Sequence, residues 1–368
     1  MDYLEEEEAY FSKGKREGKK ERRHAQKKDR SKYKKSDLER QQKQDKPISP
    51  DEKRGRILAI SPERITLLCE GKTLICTLKG ALKKEKTKEK NLIAVGDWVH
   101  VEVVDEETGA ITYVEPRKSS LCRAENLRRR KTQLIAANVD QVFIVMSLVS
   151  PQFKPLLVDR YVLSAKVGNM APIILVNKLD FLETPPDGHT LHEVAEEKLV
   201  LEEFLAAYTP LNIPVLTLSV VTGEGLGQLK TFMEGKTSVF SGQSGVGKSS
   251  LINAILDSNL PIGPIAHKTN KGSHTTTAAE LIPLENGAFC IDTPGIKSFG
   301  LWENDPETIL SIFPDFAPFA AHCKFHSCTH IHEPDCAVRK ALEEGKLSPL
   351  RYTSYLTLLE DAPPKEWE

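Results

Sequence analysis

Gly242-Gln243-Ser244-Gly245-Val246-Gly247-Lys248-Ser249 satisfies the pattern Gly-x4-Gly-Lys-Ser/Thr, with an apolar stretch before it, Thr237 to Ser241, and a helix-forming stretch after it, Ser249 to Leu256. In that setting the backbone N–H groups of Gly245 to Ser249 converge on phosphate oxygens at a helix N-terminus, where the helix dipole favours an anion. Lys248 is placed to reach the β and γ phosphates and the Ser249 hydroxyl to bind Mg²⁺, while Ser250 extends the set into the first helical turn. Asp292-Thr293-Pro294-Gly295 follows the apolar strand Ala288 to Ile291. Asp292 thus stands at a strand's carboxyl end, where open α/β sheets place their ligands, and suits a water-mediated magnesium contact, with the Gly295 N–H facing the γ phosphate. Between the two lies Gly272-Ser273-His274-Thr275-Thr276-Thr277, a segment of switch composition in which Thr276 is expected to complete the Mg²⁺ shell while the γ phosphate is present.

The base is selected elsewhere. Asn177, Lys178 and Asp180 follow the apolar strand Pro172 to Val176. A carboxylate at Asp180 accepts from the N1 and N2 donors of guanine, which adenine does not present. Ser219-Val220-Val221-Thr222-Gly223, after the strand Pro214 to Leu218, fits a loop whose backbone N–H contacts guanine O6. The order of these motifs is inverted. The base-reading motif precedes the phosphate loop, so the domain is expected to be circularly permuted.

A third group is of another kind. Cys323, Cys328, His330 and Cys336 form Cys-x4-Cys-x-His-x5-Cys, three thiolates and one imidazole suited to tetrahedral Zn²⁺ in a closed structural site, with His322, His326 and His332 as competing ligands. The odd total of seven cysteines speaks for thiols and metal ligands rather than a disulfide framework, and Cys69, Cys76, Cys122 and Cys290 read as core thiols.

These groups need elements to hold them. From residue 139 to 300, strand-like stretches (Gln141 to Leu148, Pro172 to Val176, Pro214 to Leu218, Ser238 to Phe240) alternate with helical ones (Leu156 to Val167, Leu191 to Tyr208, Leu226 to Met233), as in a doubly wound α/β sheet. Upstream, from Gly55 to about Glu115, short strands such as Arg64 to Glu70, Lys72 to Leu78, Trp98 to Val104 and Ala110 to Val114 point to a small closed barrel. Strand pattern alone allows an OB-fold or an SH3-like barrel. The basic loop Lys83 to Lys90 suits either phosphate contact or a solvated tip. Downstream, Ala337 to Glu344 and Ser348 to Leu359 are helix-forming and frame the cysteine cluster.

The net charge of −1 hides a segregation: an acidic run, Glu5 to Glu8, precedes a stretch from Lys13 to Lys46 in which basic residues exceed acidic ones by about ten. Such an arm cannot bury a core and is expected to remain solvated or to contact RNA. The chain shows neither a signal-peptide pattern nor a long apolar run, so a cytoplasmic protein without membrane association is expected. The expected organisation is multidomain: a charged arm over 1–53, an OB-type β-barrel over 54–117, a circularly permuted α/β P-loop GTPase domain over 118–300, and a small zinc-binding helical domain over 301–368.

On the permuted motif order, the switch and the cysteine-histidine cluster, the chain resembles the bacterial GTPases that depend on the small ribosomal subunit, the RsgA or YjeQ family, over about residues 55 to 360. Gly96-Asp97-Trp98-Val99 also fits that family and supports the OB-type barrel. The resemblance implies a GTPase that acts late in maturation of the small subunit, is stimulated by it and leaves on hydrolysis; GTP and GDP with Mg²⁺, one structural zinc, the small subunit with its rRNA, and a monomeric state are expected. Ser273 stands where the family's switch commonly carries arginine. Ile296 occupies the position after Asp-x-x-Gly where many GTPases place a water-orienting glutamine, so slow intrinsic turnover is expected. His274 is then the candidate catalytic group beside Lys248, since an imidazole can orient or accept from water near pH 7. The alternative is an rRNA-binding scaffold gated by nucleotide, in which hydrolysis is incidental.

Overall fold

The computed structural model describes residues 52–83, 92–125, 131–258, 279–292 and 305–362. The basic arm, the Lys83 to Lys90 loop beyond its first residue, the switch with His274 and Thr276, and Gly295 with Ile296 lie outside the described residues.

Strands β1 (Lys53–Ile60), β2 (Ile65–Cys69), β3 (Lys72–Leu78), β4 (Trp98–Val103) and β5 (Thr108–Val114) form the barrel, with a short helix α1 (Gly80–Lys83) after β3. The order β1-β2-β3-β5-β4 closes on itself through a β1–β4 pairing, and β3 runs parallel to β5. That closed five-stranded arrangement agrees with the OB-type expectation. Its interior is filled by inward-facing Ile57, Leu67, Leu74, Val99, Val101 and Ile111. Gly71 makes the β2–β3 turn at φ 78°, a conformation that L side chains rarely adopt.

A hairpin, β6 (Ser120–Glu125) and β7 (Lys131–Ala137), leads into the second unit. There β8 (Gln141–Ser147), β9 (Ala171–Asn177), β10 (Val215–Thr217), β11 (Thr237–Ser241), β12 (Glu280–Pro283) and β13 (Phe289–Asp292) assemble in the order β10-β9-β8-β11-β13-β12. All are parallel except β12, which runs antiparallel to β13. Residues alternate between faces with the strand period of two. Val142, Ile144 and Met146 of β8 enter one core and Phe143 and Val145 the other. Helices α2 (Pro155–Val167) and α3 (Leu191–Tyr208) cover the first face, and α4 (Leu226–Met233) and α5 (Lys248–Ser258) the second. The start of α3 is fixed by a capping box: Glu193 N–H donates to Thr190 Oγ1 at 3.2 Å and Thr190 N–H to Glu193 Oε2 at 2.7 Å.

Of the remaining helices, α6 (Pro306–Leu310), α7 (Ala317–Ala320), α8 (Ala337–Glu343) and α9 (Pro349–Glu360), α9 packs on α2 and on α6, and α8 on α7, while Ile309, Phe313, Phe316, Tyr355 and Leu358 join the core beneath α2. Two buried arginines tie the units together. Arg56 of β1, 5% exposed, donates to Thr237 Oγ1 at 2.6 Å and to the Asn138 carbonyl at 3.0 Å, and stacks on Phe289 at 4.5 Å. Burial pulls its guanidinium down to about 10, against the opposing charge of Asp140. Arg351 of α9 is fully buried. It pairs with Asp159 of α2, donates to both Asp315 oxygens at 3.0 and 3.2 Å and to the Ile312 carbonyl at 2.7 Å, and lies 4.2 Å from the Phe313 ring centroid. Tyr208 of α3 satisfies the other Asp159 oxygen at 2.7 Å.

Removing one partner from a buried ion pair leaves the other charge unpaired, at a cost of about 3 to 5 kcal/mol. Arg351→Met is therefore expected to lower the denaturation midpoint by that equivalent, and Asp159→Asn in the same background to recover part of it. Equal stability of Arg351→Met and the parent in urea titrations would show that the network holds nothing together.

Candidate nucleotide site and metal centre

The loop after β11 occupies the centre of the sheet's carboxyl edge. Gly242 adopts φ 147°, and a Cβ there would lie 2.1 Å from the Val145 carbonyl oxygen. At Gly247, φ 94°, a Cβ would lie 2.4 Å from Asn177 Nδ2. Both positions thus need glycine because a neighbouring strand end comes close. Val246 is buried beneath the loop at 1% exposure, while Ser244, Gly245, Ser249 and Ser250 face outward. Helix α5 begins at Lys248, one residue before the sequence-based expectation. Lys248 Nζ folds back onto the Gly242 and Gln243 carbonyls at 2.6 and 2.5 Å, so the ammonium already sits inside the loop's curve.

The base-reading motif lies beside it. Asn177 ends β9, 2% exposed, and its amide donates across to the Val246 carbonyl at 2.9 Å. Asn177 Oδ1 and Gln243 Oε1 are buried acceptors without a protein partner among the described residues, as expected of groups that face a ligand cleft. Lys178 takes φ 67° and directs its ammonium onto the Ser150 carbonyl, its Nζ 5.5 Å from the Phe181 ring centroid. Burial lowers the Lys178 pKa, opposed by the charge of Asp180.

Asp180 is held in place by Ser219, whose side chain is fully buried. The Ser219 hydroxyl donates to Asp180 Oδ1 at 2.5 Å and accepts from the Val221 and Thr222 N–H groups, each at 3.2 Å. The loop after β10 is closed by Ser219 N–H to the Glu224 carbonyl, at 3.1 Å, and Gly223 N–H to the Ser219 carbonyl, at 3.0 Å. Asp292 ends β13, paired in parallel with β11 through Val239 and Ile291, and so comes out at the same edge as the phosphate loop. Asn177, Lys178, Asp180, Ser219, the 242–250 loop and Asp292 thus gather at one end of one sheet. His274, Thr276 and Gly295 are not among the described residues. Sequence reasoning missed Ser150 and the hydroxyl of Ser219; no local signal marks a carbonyl acceptor, but a serine two residues before a turn was legible as a capping group.

The cysteine cluster lies apart, between α7 and α8. The ligand atoms of Cys323, Cys328, His330 and Cys336 all fall within 4.8 Å of one another. His330 Nδ1 stands 3.6 Å from Cys323 Sγ and 3.5 Å from Cys336 Sγ. His330 takes φ 61°, and its backbone carbonyl accepts from Tyr352 Oη at 2.7 Å; Tyr355 Oη donates to the Thr329 carbonyl at 2.9 Å. The neighbouring turn is fastened by Glu333, which accepts from Thr329 N–H and Oγ1, both at 2.6 Å. Burial pushes the Cys328 thiol up to about 12, and its contacts with Cys336 and Cys323 add to the shift. Three crowded sulfur atoms and an imidazole form a donor set that a divalent cation fits, because the cation supplies the charge that makes thiolates stable.

The gathered motifs and their permuted order define a circularly permuted P-loop GTPase joined to a β-barrel. Residues 114–302 match the family model of the RsgA GTPase. Over 293 residues the chain is 36% identical to the small ribosomal subunit biogenesis GTPase RsgA of Phocaeicola vulgatus, and 37% identical to that of Bacteroides fragilis, in each case covering 79% of this chain and 91% of the relative. Among solved structures, YjeQ from Thermotoga maritima superposes with a TM-score of 0.65 at 28% identity, covering 84% of this chain and 98% of that one. YloQ, described as a circularly permuted GTPase, gives 0.65 at 26% identity, covering 87% and all of its own chain. The chain belongs to the RsgA GTPase family.

The tetrad predicts about one tightly held metal ion per purified chain. Cys328→Ser is expected to lose it and to loosen the region around α8 and α9, measured as metal content by mass spectrometry alongside limited proteolysis. Full metal content in that variant would remove Cys328 from the ligand set.

Proposed function

We propose that this chain hydrolyses GTP during biogenesis of the small ribosomal subunit, as its relatives are named for doing, with the subunit stimulating turnover and hydrolysis releasing the protein. The observation that carries the reading is the bond from Asn177 to the Val246 carbonyl, which locks the base-reading strand end to the phosphate loop. One nucleotide can then meet both at once.

In this reading the N–H groups of Gly245 to Ser249 hold the phosphates at the start of α5. Lys248 would exchange the Gly242 and Gln243 carbonyls for the β and γ phosphates, and Ser249, Thr276 and Asp292 would hold Mg²⁺. The carboxylate of Asp180, oriented by Ser219, accepts from guanine N1 and N2. Mg²⁺ held there would supply positive charge against the phosphate oxygens. With Ile296 after Asp-x-x-Gly, this chain lacks the usual water-orienting glutamine, and His274 takes that part when the subunit is bound.

Zinc is the metal we assign to the Cys3His site, where it is structural: four protein donors fill a tetrahedral shell and leave no open position. The division at residues 53, 117 and 300 is proposed on the same basis, with the barrel and the basic arm available to rRNA. No helix among the described residues is long and apolar enough to cross a membrane, which suits a cytoplasmic partner of the ribosome.

Asp180→Asn is expected to lose GTP affinity and to gain relative affinity for xanthosine triphosphate, whose C2 carbonyl accepts from an amide; unchanged GTP binding would take Asp180 out of the site. His274→Ala should bind GTP and small subunits normally yet lose most of the stimulated rate, with little change in the weak intrinsic rate. Single-turnover hydrolysis with and without subunits checks this, and full stimulation in the variant would assign the water to another switch residue or to rRNA.

A further inference from the structure

The edge of the sheet opposite the nucleotide site carries a cavity of about 310 Å³. It opens where the amino ends of β8 and β9 meet the segment after α6. Its floor is apolar: Ile173 and Ile312 are 3% and 1% exposed, and Ile213 and Phe232 are partly buried beside them. Two exposed lysines, Lys166 and Lys236, stand at the rim. Among the described residues, Lys166 Nζ donates to the Ser311 carbonyl at 3.4 Å, and Lys236 Nζ lies 6.0 Å from the Phe232 ring centroid. An apolar hollow beneath two ammonium groups suits an aromatic side chain flanked by carboxylates.

The chain carries such a sequence beyond α9, in Glu366-Trp367-Glu368. In an extended segment the period of two puts Trp367 on one face and both glutamates on the other. The indole then enters the cavity while the carboxylates stay at the mouth, beside the lysines. Reach is sufficient. Asp361 is paired with Arg160 of α2, and Lys166 lies six residues further along that helix, roughly 9 Å. The six steps from Asp361 to Trp367 span up to roughly 20 Å when extended.

We propose that Glu366-Trp367-Glu368 docks on its own chain, with Trp367 in this cavity and its two glutamates against Lys166 and Lys236. Because Ile312 and Pro314 line one wall and β8 to β10 the other, the docked tail fastens the C-terminal helices to the sheet at a point remote from the nucleotide.

The test is ¹⁹F NMR of the full-length protein labelled with 5-fluorotryptophan, the Trp367 resonance being assigned by its loss in Trp367→Phe. Docking predicts a Trp367 resonance insensitive to exchange of H₂O for D₂O. The double reversal Lys166→Glu with Lys236→Glu should move it to the solvent position, and adding Glu366→Lys with Glu368→Lys should return it. The distant Lys324→Glu should leave it in place. The rim lysines are exposed, so the reversals do not endanger folding. A Trp367 resonance at the solvent position in the parent protein, or one unmoved by the double reversal, overturns the proposal. So does a docked signal that grows with protein concentration, which would assign the cavity to the tail of a second copy.

Discussion

The parallel pairing of β11 with β8 on one side and β13 on the other is the contact on which the rest of the molecule depends. It joins segments about a hundred residues apart in sequence, Ser238 opposite Gln141, and such non-local pairing is slow to form because loop closure must precede its reward. Once formed, it places the 242–249 loop at the middle of the carboxyl edge, with β9 and its Asn177 end two positions away and Asp292 next door. Permutation of the chain does not disturb this, since the ligand meets the strand order and not the sequence order. What permutation changes is which connections are continuous: the sheet's early strands now carry the base motif, and β13 leads on toward the metal-binding region.

Around that sheet the flanking units are fixed by buried guanidinium groups. Arg56 works at the amino ends of β11 and β13, through Thr237 and Phe289; Arg351 works on the outer face of α2. Each costs desolvation and recovers it through several partners, three carboxylate contacts and a carbonyl at Arg351, aromatic faces and neutral acceptors at Arg56. Apolar side chains of similar size would pack as well, but they would not dictate one orientation. The difference shows in the surroundings: Arg351 has carboxylates that keep it charged, whereas among the described residues Arg56 bonds to neutral acceptors, feels Asp140 only at a distance, and is pulled down by burial.

Much of the site was legible in the sequence because nucleotide loops are local: Gly242 to Ser249 and Asn177 to Asp180 each fit within one turn, and glycine at Gly242 and Gly247 answers a steric need visible as a pattern. The alternation in β8 and β9 made their strands plain. The cysteine cluster was local too, within fourteen residues. What sequence could not give was every contact between distant segments: that Ser219 aims Asp180, that Asn177 reaches Val246, that Arg351 finds Asp159. An arginine in a helix reads as a surface residue, and only the packing of α9 on α2 turns it inward. The β6–β7 hairpin was also missed, since its charged residues resemble a loop.

The register of β12 joins these threads. Glu280 stands opposite Asp292 of β13 and, on its other side, opposite Ala59 of the barrel strand β1. One row of backbone therefore runs from the strand end assigned to magnesium, through β12, into the barrel, with no side chain intervening. Hydrogen-bonded strands slide far less readily than loops bend, because slipping by one residue would invert every buried position of β12 and β13. Arg56, three residues from Ala59 on the same strand, binds the amino end of β11, so β1 meets the second unit at two points along its length. The barrel strand β1 and the carboxyl edge of the sheet are in this way joined by backbone pairing through β12.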